Sequence, residues 1–382
     1  GNKGLVIGEL HHFHTLYYSI LFLVTSLIYR NMKLTRFTVI LAFCAMVLPL
    51  RAQVQMPNPG FENWPGEVTA SPKGWHSFNE AGGVFAKTMS NKGGPGNPAA
   101  LERVAGHSGK YAVVLRCTKI LGVSANGALT SGRVYMGAMG AASAKNYCYT
   151  DRANGYAFKF TGRPDSISFW AKFDMKESVY ATAKAHLHTD CDFRDFVDIG
   201  QESDIASAIL YFKNPKDGKW HKYKQAFKAY DKVYKATAAQ APIPTLNTWT
   251  RKPSYLLFCF STNRYVMTGN KGDALYLDDI RLIYNKNLSF IQVDGTELYD
   301  YKKGQNDYVY FVSNTQETQL PEVTASAESP RAVVEVRQAT AENPVAEIKV
   351  YHDDVYAGEA EPEVYTVRFV SLPSVYAMSE WR

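Results

Sequence analysis

At 382 residues, with 46% hydrophobic and 13% aromatic side chains, the chain is long enough for two domains with substantial cores and too apolar to stay disordered. Its formal charge of +6 is unevenly spread: residues 1–52 hold five basic and one acidic residue and residues 286–382 hold eight basic and sixteen acidic, which leaves a net +10 on residues 53–285. A basic front region is therefore followed by an acidic rear one.

In chain order, the first element is a targeting segment. Met32-Lys33-Leu34-Thr35-Arg36 followed by the apolar run Phe37 to Leu48 reads as the charged and hydrophobic regions of a signal peptide, with cleavage expected after Ala52. Residues 1–31 carry another apolar run, Leu16 to Tyr29, short for a membrane span and directly upstream of the methionine that opens the signal. The expectation is that 1–31 is an upstream extension from a mis-assigned start, that 32–52 is removed, and that the mature chain is exported to the periplasm, the outer surface or the medium. Cys44 reads as part of the hydrophobic region, because Phe43 is too large to precede a lipid-bearing cysteine. The later cysteines, Cys117, Cys148, Cys191 and Cys259, form no CxxC pair and so give no support to zinc or redox chemistry. One or two disulfides and buried free thiols are both compatible with their spacing.

From Gln53 onward, short alternating or apolar runs of strand length are separated by Gly, Pro, Asn and Asp clusters. Among them are Tyr111–Cys117, Ser166–Phe173, Ala208–Phe212 and Ser254–Phe260. Long amphipathic helical windows are absent; the one helical stretch of note, Tyr230 to Gln240, is short and alanine-rich. The expected fold class is all-β: an antiparallel jelly-roll β-sandwich over 53–285, followed by a smaller immunoglobulin-like β-sandwich over 286–382. The second unit starts after Asn285-Lys286-Asn287 and includes Leu288–Leu298, Val333–Arg337, Ala346–Tyr351 and Val364–Val370.

Two short signatures bracket the front unit, Asn58-Pro59-Gly60-Phe61-Glu62-Asn63-Trp64 and Leu275-Tyr276-Leu277-Asp278-Asp279-Ile280-Arg281. Pro59-Gly60 makes a turn that drops Phe61 into the core and places Glu62 where the chain enters the sandwich. Adjacent Asp278 and Asp279 on a strand point to opposite faces, so one carboxylate turns inward or to the sheet edge and needs a partner. An opening and closing pair of this kind resembles the carbohydrate-binding jelly rolls of the galactose-binding-like type. With Gly155–Phe173, Ser131–Gly137 and Gly218–Tyr223, the two signatures resemble the family of exported bacterial proteins named "putative carbohydrate metabolism domain", over residues 53–285. The resemblance implies a structural calcium ion (Ca2+) held by Glu62, Asp278 and Asp279, a metal suited to several oxygen ligands.

Sugar recognition uses aromatic faces stacked on pyranose rings, flanked by amide, carboxylate and guanidinium groups. Trp64, Trp75, Trp220 and Trp249 stand in or beside turn-like sequence and are the candidate ligand-binding residues with Arg133; Asn79, Glu80 and Asn126 lie in other expected loops. For each tryptophan, core packing is the competing role. His186, His188 and Asp190 would share one face of a strand, a spacing open to a metal, though a solvated strand face is the simpler account. No catalytic residues are assigned: a glycosidase needs two carboxylates about 5–10 Å apart, and Glu80, Glu102, Asp192 and Glu202 are equal candidates. Serine-hydrolase, kinase and dinucleotide signatures are absent.

The leading reading is an exported, non-catalytic protein whose jelly roll binds a glycan or polysaccharide through loop aromatics. The basic front region suits an acidic polysaccharide rather than nucleic acid, although lysines solvating a surface, or attraction between the two regions, are the simpler account of the charge. A glycosidase or polysaccharide lyase is the alternative, and a surface adhesion or assembly subunit with a protein partner is the third.

Overall fold

Alternation between apolar and polar side chains dominates the computed structural model, which describes residues 54–95, 97–120, 122–140, 142–175, 180–229, 251–313 and 319–372. The signal segment, the 1–31 extension, the Tyr230–Gln240 stretch and Trp249 lie outside the described residues. The front strands are β1 (Leu101–Ala105), β2 (Tyr111–Arg116), β3 (Thr118–Ile120), β4 (Val123–Ala125), β5 (Ala128–Thr130), β6 (Arg133–Met136), β7 (Asn146–Tyr149), β8 (Ser166–Asp174), β9 (Tyr180–His188), β10 (Asp204–Lys213), β11 (His221–Ala226), β12 (Lys228–Ala229), β13 (Tyr255–Ser261) and β14 (Ala274–Ile283). Among the described residues they build two five-stranded antiparallel sheets, β1-β2-β14-β8-β11 and β12-β10-β9-β13-β5.

Numbering β2, β5, β8, β9, β10, β11, β13 and β14 as strands one to eight, the first sheet runs 1-8-3-6 and the second 5-4-7-2. Every connection between successive strands except four to five crosses from sheet to sheet, the double Greek key of a jelly roll. Strand β9 shows how the sequence specifies it. Ala181, Ala183, Ala185 and Leu187 enter the core between the sheets, while Thr182, Lys184, His186 and His188 occupy the other face. That other face is itself buried, and the chain that buries it frames the site described below.

The rear strands are β15 (Leu288–Val293), β16 (Thr296–Glu297), β17 (Asp307–Val312), β18 (Val323–Ala327), β19 (Val333–Arg337), β20 (Val345–Tyr351) and β21 (Glu363–Ser371). They form the sheets β16-β15-β18 and β17-β21-β20-β19 around a core that includes Leu288, Ile291, Val323, Ile348, Val367 and Phe369. The pairing of β17 with β21 is parallel, a feature the strand pattern did not predict.

Buried polar contacts tie this second core to the first. Asp165 accepts hydrogen bonds from Ser329 Oγ (2.7 Å), Asn285 N (2.6 Å) and Arg331 Nη2, and His352 Nε2 lies 3.1 Å from it. Arg163 grips Asp353 through its backbone N, Nε and Nη2 at 2.8–3.0 Å. Asp353 opens a single helical turn, Asp353–Tyr356, and Ala357 beyond it enters the front core. Among the described residues no helix is long and apolar enough to cross a membrane.

Candidate functional site

The two end signatures meet on one turn. Residues 106–110 link β1 to β2, and all three acidic side chains bond to that link. Glu62 Oε1 accepts from Lys110 N (2.8 Å) and Tyr111 N (3.1 Å), and Asp278 Oδ2 accepts from His107 N (2.8 Å) and Ser108 N (3.3 Å). Asp279 Oδ2 accepts from Ser108 Oγ at 2.7 Å and lies 3.3 Å from His107 Nδ1. Gly109 has φ +59°, and any Cβ there would collide with Glu62 Oε1, so the turn requires glycine.

Asp278 and Asp279 do not project to opposite faces as regular strand geometry requires. The register of β14 slips between Asp278 and Arg281, and Asp279 adopts φ +49°, a bulge that turns both carboxylates onto the same turn. Asp278 is fully buried, and burial raises its carboxyl to about 6 against the opposing pull of the backbone N–H groups.

This donor set does not fit calcium well. Calcium takes about 6–8 oxygen ligands, whereas these carboxylates are spent on N–H, hydroxyl and imidazole partners. Among the described residues no group of three His, Cys, Asp or Glu is placed to hold a metal ion.

Among the described residues, the candidate tryptophans Trp64, Trp75 and Trp220 do not converge. Trp75 is corrected from ligand-binding to core: it is fully buried and packs against Phe61 (5.4 Å), Phe258 (5.8 Å) and Phe260 (6.2 Å), so no sugar reaches its faces. Trp64 donates its indole N–H to Phe61 O and packs half-buried against the same core, with Arg103 5.9 Å from its ring. Trp220 lies on the outer side of the first sheet, 5.6 Å from His107 and 6.4 Å from Tyr276. Arg133 donates to Glu80 O (2.9 Å) and Asp151 Oδ2 (3.0 Å) and stacks on Tyr156; these contacts tie the start of β6 to its surroundings.

The concave site is elsewhere. A cavity of about 200 Å³ opens between the outer face of the second sheet and the β6–β7 hairpin. Its floor is Thr182 and Lys184 of β9 with Cys259 and Ser261 of β13, and Val134, Met136, Asn146, Tyr147 and Cys148 of the hairpin form one wall. Asp195 and Phe196 close one end, and Asn126, Asn263, Arg264 and Met267 close the other beside Tyr211.

Three features set this cavity apart. Lys184 Nζ lies 3.0 Å from both oxygens of Asp195, with the side chains 5% and 4% exposed. Burial alone would raise the Asp195 carboxyl, but Lys184 and His186 override it and hold it down to about 2. At the opposite end the side chains of Asn263 and Asn126 pack inward, with Asn263 Oδ1 accepting from Cys117 Sγ (3.0 Å), and Asn263 Nδ2 and Asn126 Oδ1 are sealed from solvent without a hydrogen-bond partner, an unfavourable state. Finally, Phe196 and Met267, 70% and 53% exposed, are held at φ +72° and φ +65°. Bulky side chains avoid that conformation, and such strain clusters at binding sites. Arg264 lies 4.2 Å from the Tyr211 ring and 5.1 Å from the Tyr265 ring at the mouth.

Behind the floor, the loop after β9 is anchored by His188. Its Nε2 lies 2.8 Å from Thr150 Oγ1, its Nδ1 lies 2.8 Å from Thr189 O, and Phe193 and Tyr255 stack on its faces. Burial lowers its pKa to about 4, so the ring is neutral at pH 7. His186 bonds Ser207 Oγ (2.7 Å), which donates to Asp204; its Nε2 is 3.3 Å from Asp195 Oδ1 but outside hydrogen-bond geometry. Asp190 turns away from both histidines to pair with Arg152 at 2.6 Å, so the three residues form a packed strand face and a surface ion pair. The four described cysteines are free thiols.

Of the loop polar residues singled out from sequence, Asn126 reaches the cavity. Phe196, Tyr211, Asn263 and Arg264 were missed; the one available signal was the dense Cys191-Asp192-Phe193-Arg194-Asp195-Phe196 run, which places an apolar ring beside charges in a loop.

No family model matches the chain, and no curated protein matches it. Among solved structures it is similar to a Bacteroides thetaiotaomicron VPI-5482 protein described as a "putative glycoside hydrolase" (TM-score 0.41, 14% identity, covering 59% of this chain and 70% of that one). It is also similar to TmCBM61 in complex with β-1,4-galactotriose (TM-score 0.28, 13% identity, 61% and 99%). A third is the Family 11 Carbohydrate-Binding Module from Clostridium thermocellum in complex with a β-1,3-1,4-mixed-linked tetrasaccharide (TM-score 0.28, 13% identity, 61% and 98%). With every TM-score below 0.5, the architecture rests on the strand order above and the site on its own residues.

Proposed function

We propose that this chain is a non-catalytic carbohydrate-binding protein and that its ligand seats in the cleft between the β6–β7 hairpin and the outer face of β9 and β13. The observation that carries the reading is the pairing, along one cavity, of the polar groups of Lys184 and Asp195 with the exposed rings of Phe196 and Tyr211. A pyranose offers hydroxyls for the first and C–H faces for the second. The cavity's size suits one sugar residue, with the remainder of a chain lying outside. Carbohydrate-bound modules among the similar solved structures agree with this choice of ligand class.

Binding is favoured over hydrolysis because Asp195 is the one carboxylate among the described lining residues, and it is committed to Lys184; a glycosidase needs two. In this reading the jelly roll of 53–285 carries recognition, the 286–382 sandwich is a rigid accessory, and the 32–52 segment directs export. Glycan-array screening followed by calorimetry on wild type, Asn263→Leu and Tyr211→Ala tests it. Binding without turnover, weakened by both substitutions, is expected; release of reducing ends, or binding indifferent to both, contradicts it.

A further inference from the structure

The Phe196 ring occupies a position that a ligand atom can take. Lys184 has three N–H protons: two are satisfied by Asp195 Oδ1 and Oδ2, and the ammonium's remaining side faces the Phe196 ring, whose centroid is 3.4 Å from Nζ. A ring face is a weaker partner than an oxygen, and here it belongs to a side chain that is 70% exposed and strained at φ +72°. A weak attraction to the ammonium and a ring left largely in water hold the side chain in place only loosely.

The backbone on either side is fixed. Asp195 N donates to Cys148 O at 2.8 Å, Phe196 N donates to Asp195 Oδ1 at 2.9 Å, and Arg194 clasps Asp198 through N, Nε and Nη2. Movement is thus confined to rotation of the side chain, which is fast for an exposed residue.

Building on the carbohydrate reading above, we infer that Phe196 is a swinging gate over Lys184, and that the group replacing it on the third ammonium proton is a hydroxyl of a neutral sugar residue. Asp195 sets this preference. Its carboxylate already neutralises Lys184 within a water-poor pocket, so a uronate carboxylate brought to the same nitrogen would meet a like charge beside it. The amide side chains that line the cavity, Asn126, Asn146 and Asn263, are uncharged, and the one further charge at the cavity, Arg264, stays at the mouth against Tyr211 and Tyr265.

The test is calorimetry of the full chain against neutral oligosaccharides of glucose, galactose, xylose and mannose and against oligogalacturonate. Phe196→Gly, which removes both ring and strain, should tighten the best neutral ligand about five-fold by making the open state permanent. The pair Lys184→Met with Asp195→Asn, which strands no charge, should weaken that ligand at least about ten-fold while circular dichroism shows the fold intact. Neutral ligands should outbind the uronate series in wild type. Weaker binding by Phe196→Gly would show the ring to be a stacking platform and overturn the gate, as would tighter binding of oligogalacturonate than of its neutral counterpart. Failure of every oligosaccharide to bind wild type would instead remove the carbohydrate reading beneath it, and the gate with it.

Discussion

His188 makes the stability of the cavity's closing loop dependent on pH. The ring is fully buried, satisfied at both nitrogens as a neutral imidazole, and carries a pKa of about 4 against an ordinary value of 6.5. A lowered folded pKa means that the unfolded chain binds the extra proton between those two values, so stability is lost as pH falls from about 6.5 toward 4. Between pH 7 and pH 4.5 the linkage amounts to about 2.5 kcal/mol. Asp278 works in the opposite direction: its carboxyl, raised to about 6, contributes stability at acid pH that is lost as pH rises through that value. The wild-type profile therefore partly cancels, and a substitution is needed to isolate the histidine. Urea unfolding of wild type and His188→Gln at pH 7 and 4.5 provides the comparison. At pH 7 the variant should be less stable by about 1–2 kcal/mol, the loss of two buried hydrogen bonds and the ring packing. At pH 4.5 that gap should close or invert, because the glutamine takes up no proton. A gap that stays constant within about 0.5 kcal/mol would refute the buried-imidazole argument.

The turn clamp predicts that Asp278→Ala, which removes the buried carboxylate that accepts from the His107, Ser108 and Asp279 N–H groups, lowers stability by about 2 kcal/mol in chemical denaturation, against about 1 kcal/mol or less for the exposed Glu62→Ala. Chelator and added calcium should each leave the melting temperature within about 1 °C, since a ligand acts on stability only through binding to the native state; a larger rise with calcium would show that the carboxylates reorganise around an ion. Trp75→Ala should cost about 3–5 kcal/mol through its cavity without changing the Kd of a glycan that still binds the folded variant. At the junction of the two cores, Asp165→Ala leaves Arg331 and His352 facing each other without their shared carboxylate. It should cost about 3 kcal/mol and raise protease cleavage near 285–287.

The sheet architecture was legible because half-buried strands repeat every two residues. The runs at Tyr111, Ser166 and Ser254 became β2, β8 and β13 with ends shifted by a residue at most, while the run at Leu288 split at Asp294-Gly295 into β15 and β16. The meeting of Glu62 with Asp278 and Asp279 was legible from their places at the two ends of one sandwich, but its form was not: a bulge and a left-handed Asp279 depend on the partner turn. The residues of the cleft were hidden for a different reason. Trp75 sits in turn-like sequence yet fills the core, because the next residue, His76, pairs with Thr130 of the edge strand β5 and holds the segment against the sandwich. Lys184 alternates like any outward residue on β9, and nothing local announces that the hairpin and the 193–198 loop will cover it. Phe196 and Met267 are set apart by backbone conformation, which composition does not encode.

The central claim is that the cleft under the β6–β7 hairpin receives the glycan. Methyl NMR on the intact protein, titrated with the oligosaccharide that scores highest on an array, addresses it directly through Met136 and Met267, which line the cleft, and the indole signals of Trp220 and Trp64, which lie outside it. Saturable shifts of the two methionine methyls with unmoved indoles are the expected result. Shifts confined to the Trp220 or Trp64 indole, with both methyls unchanged at saturation, would place recognition on another surface and contradict the account.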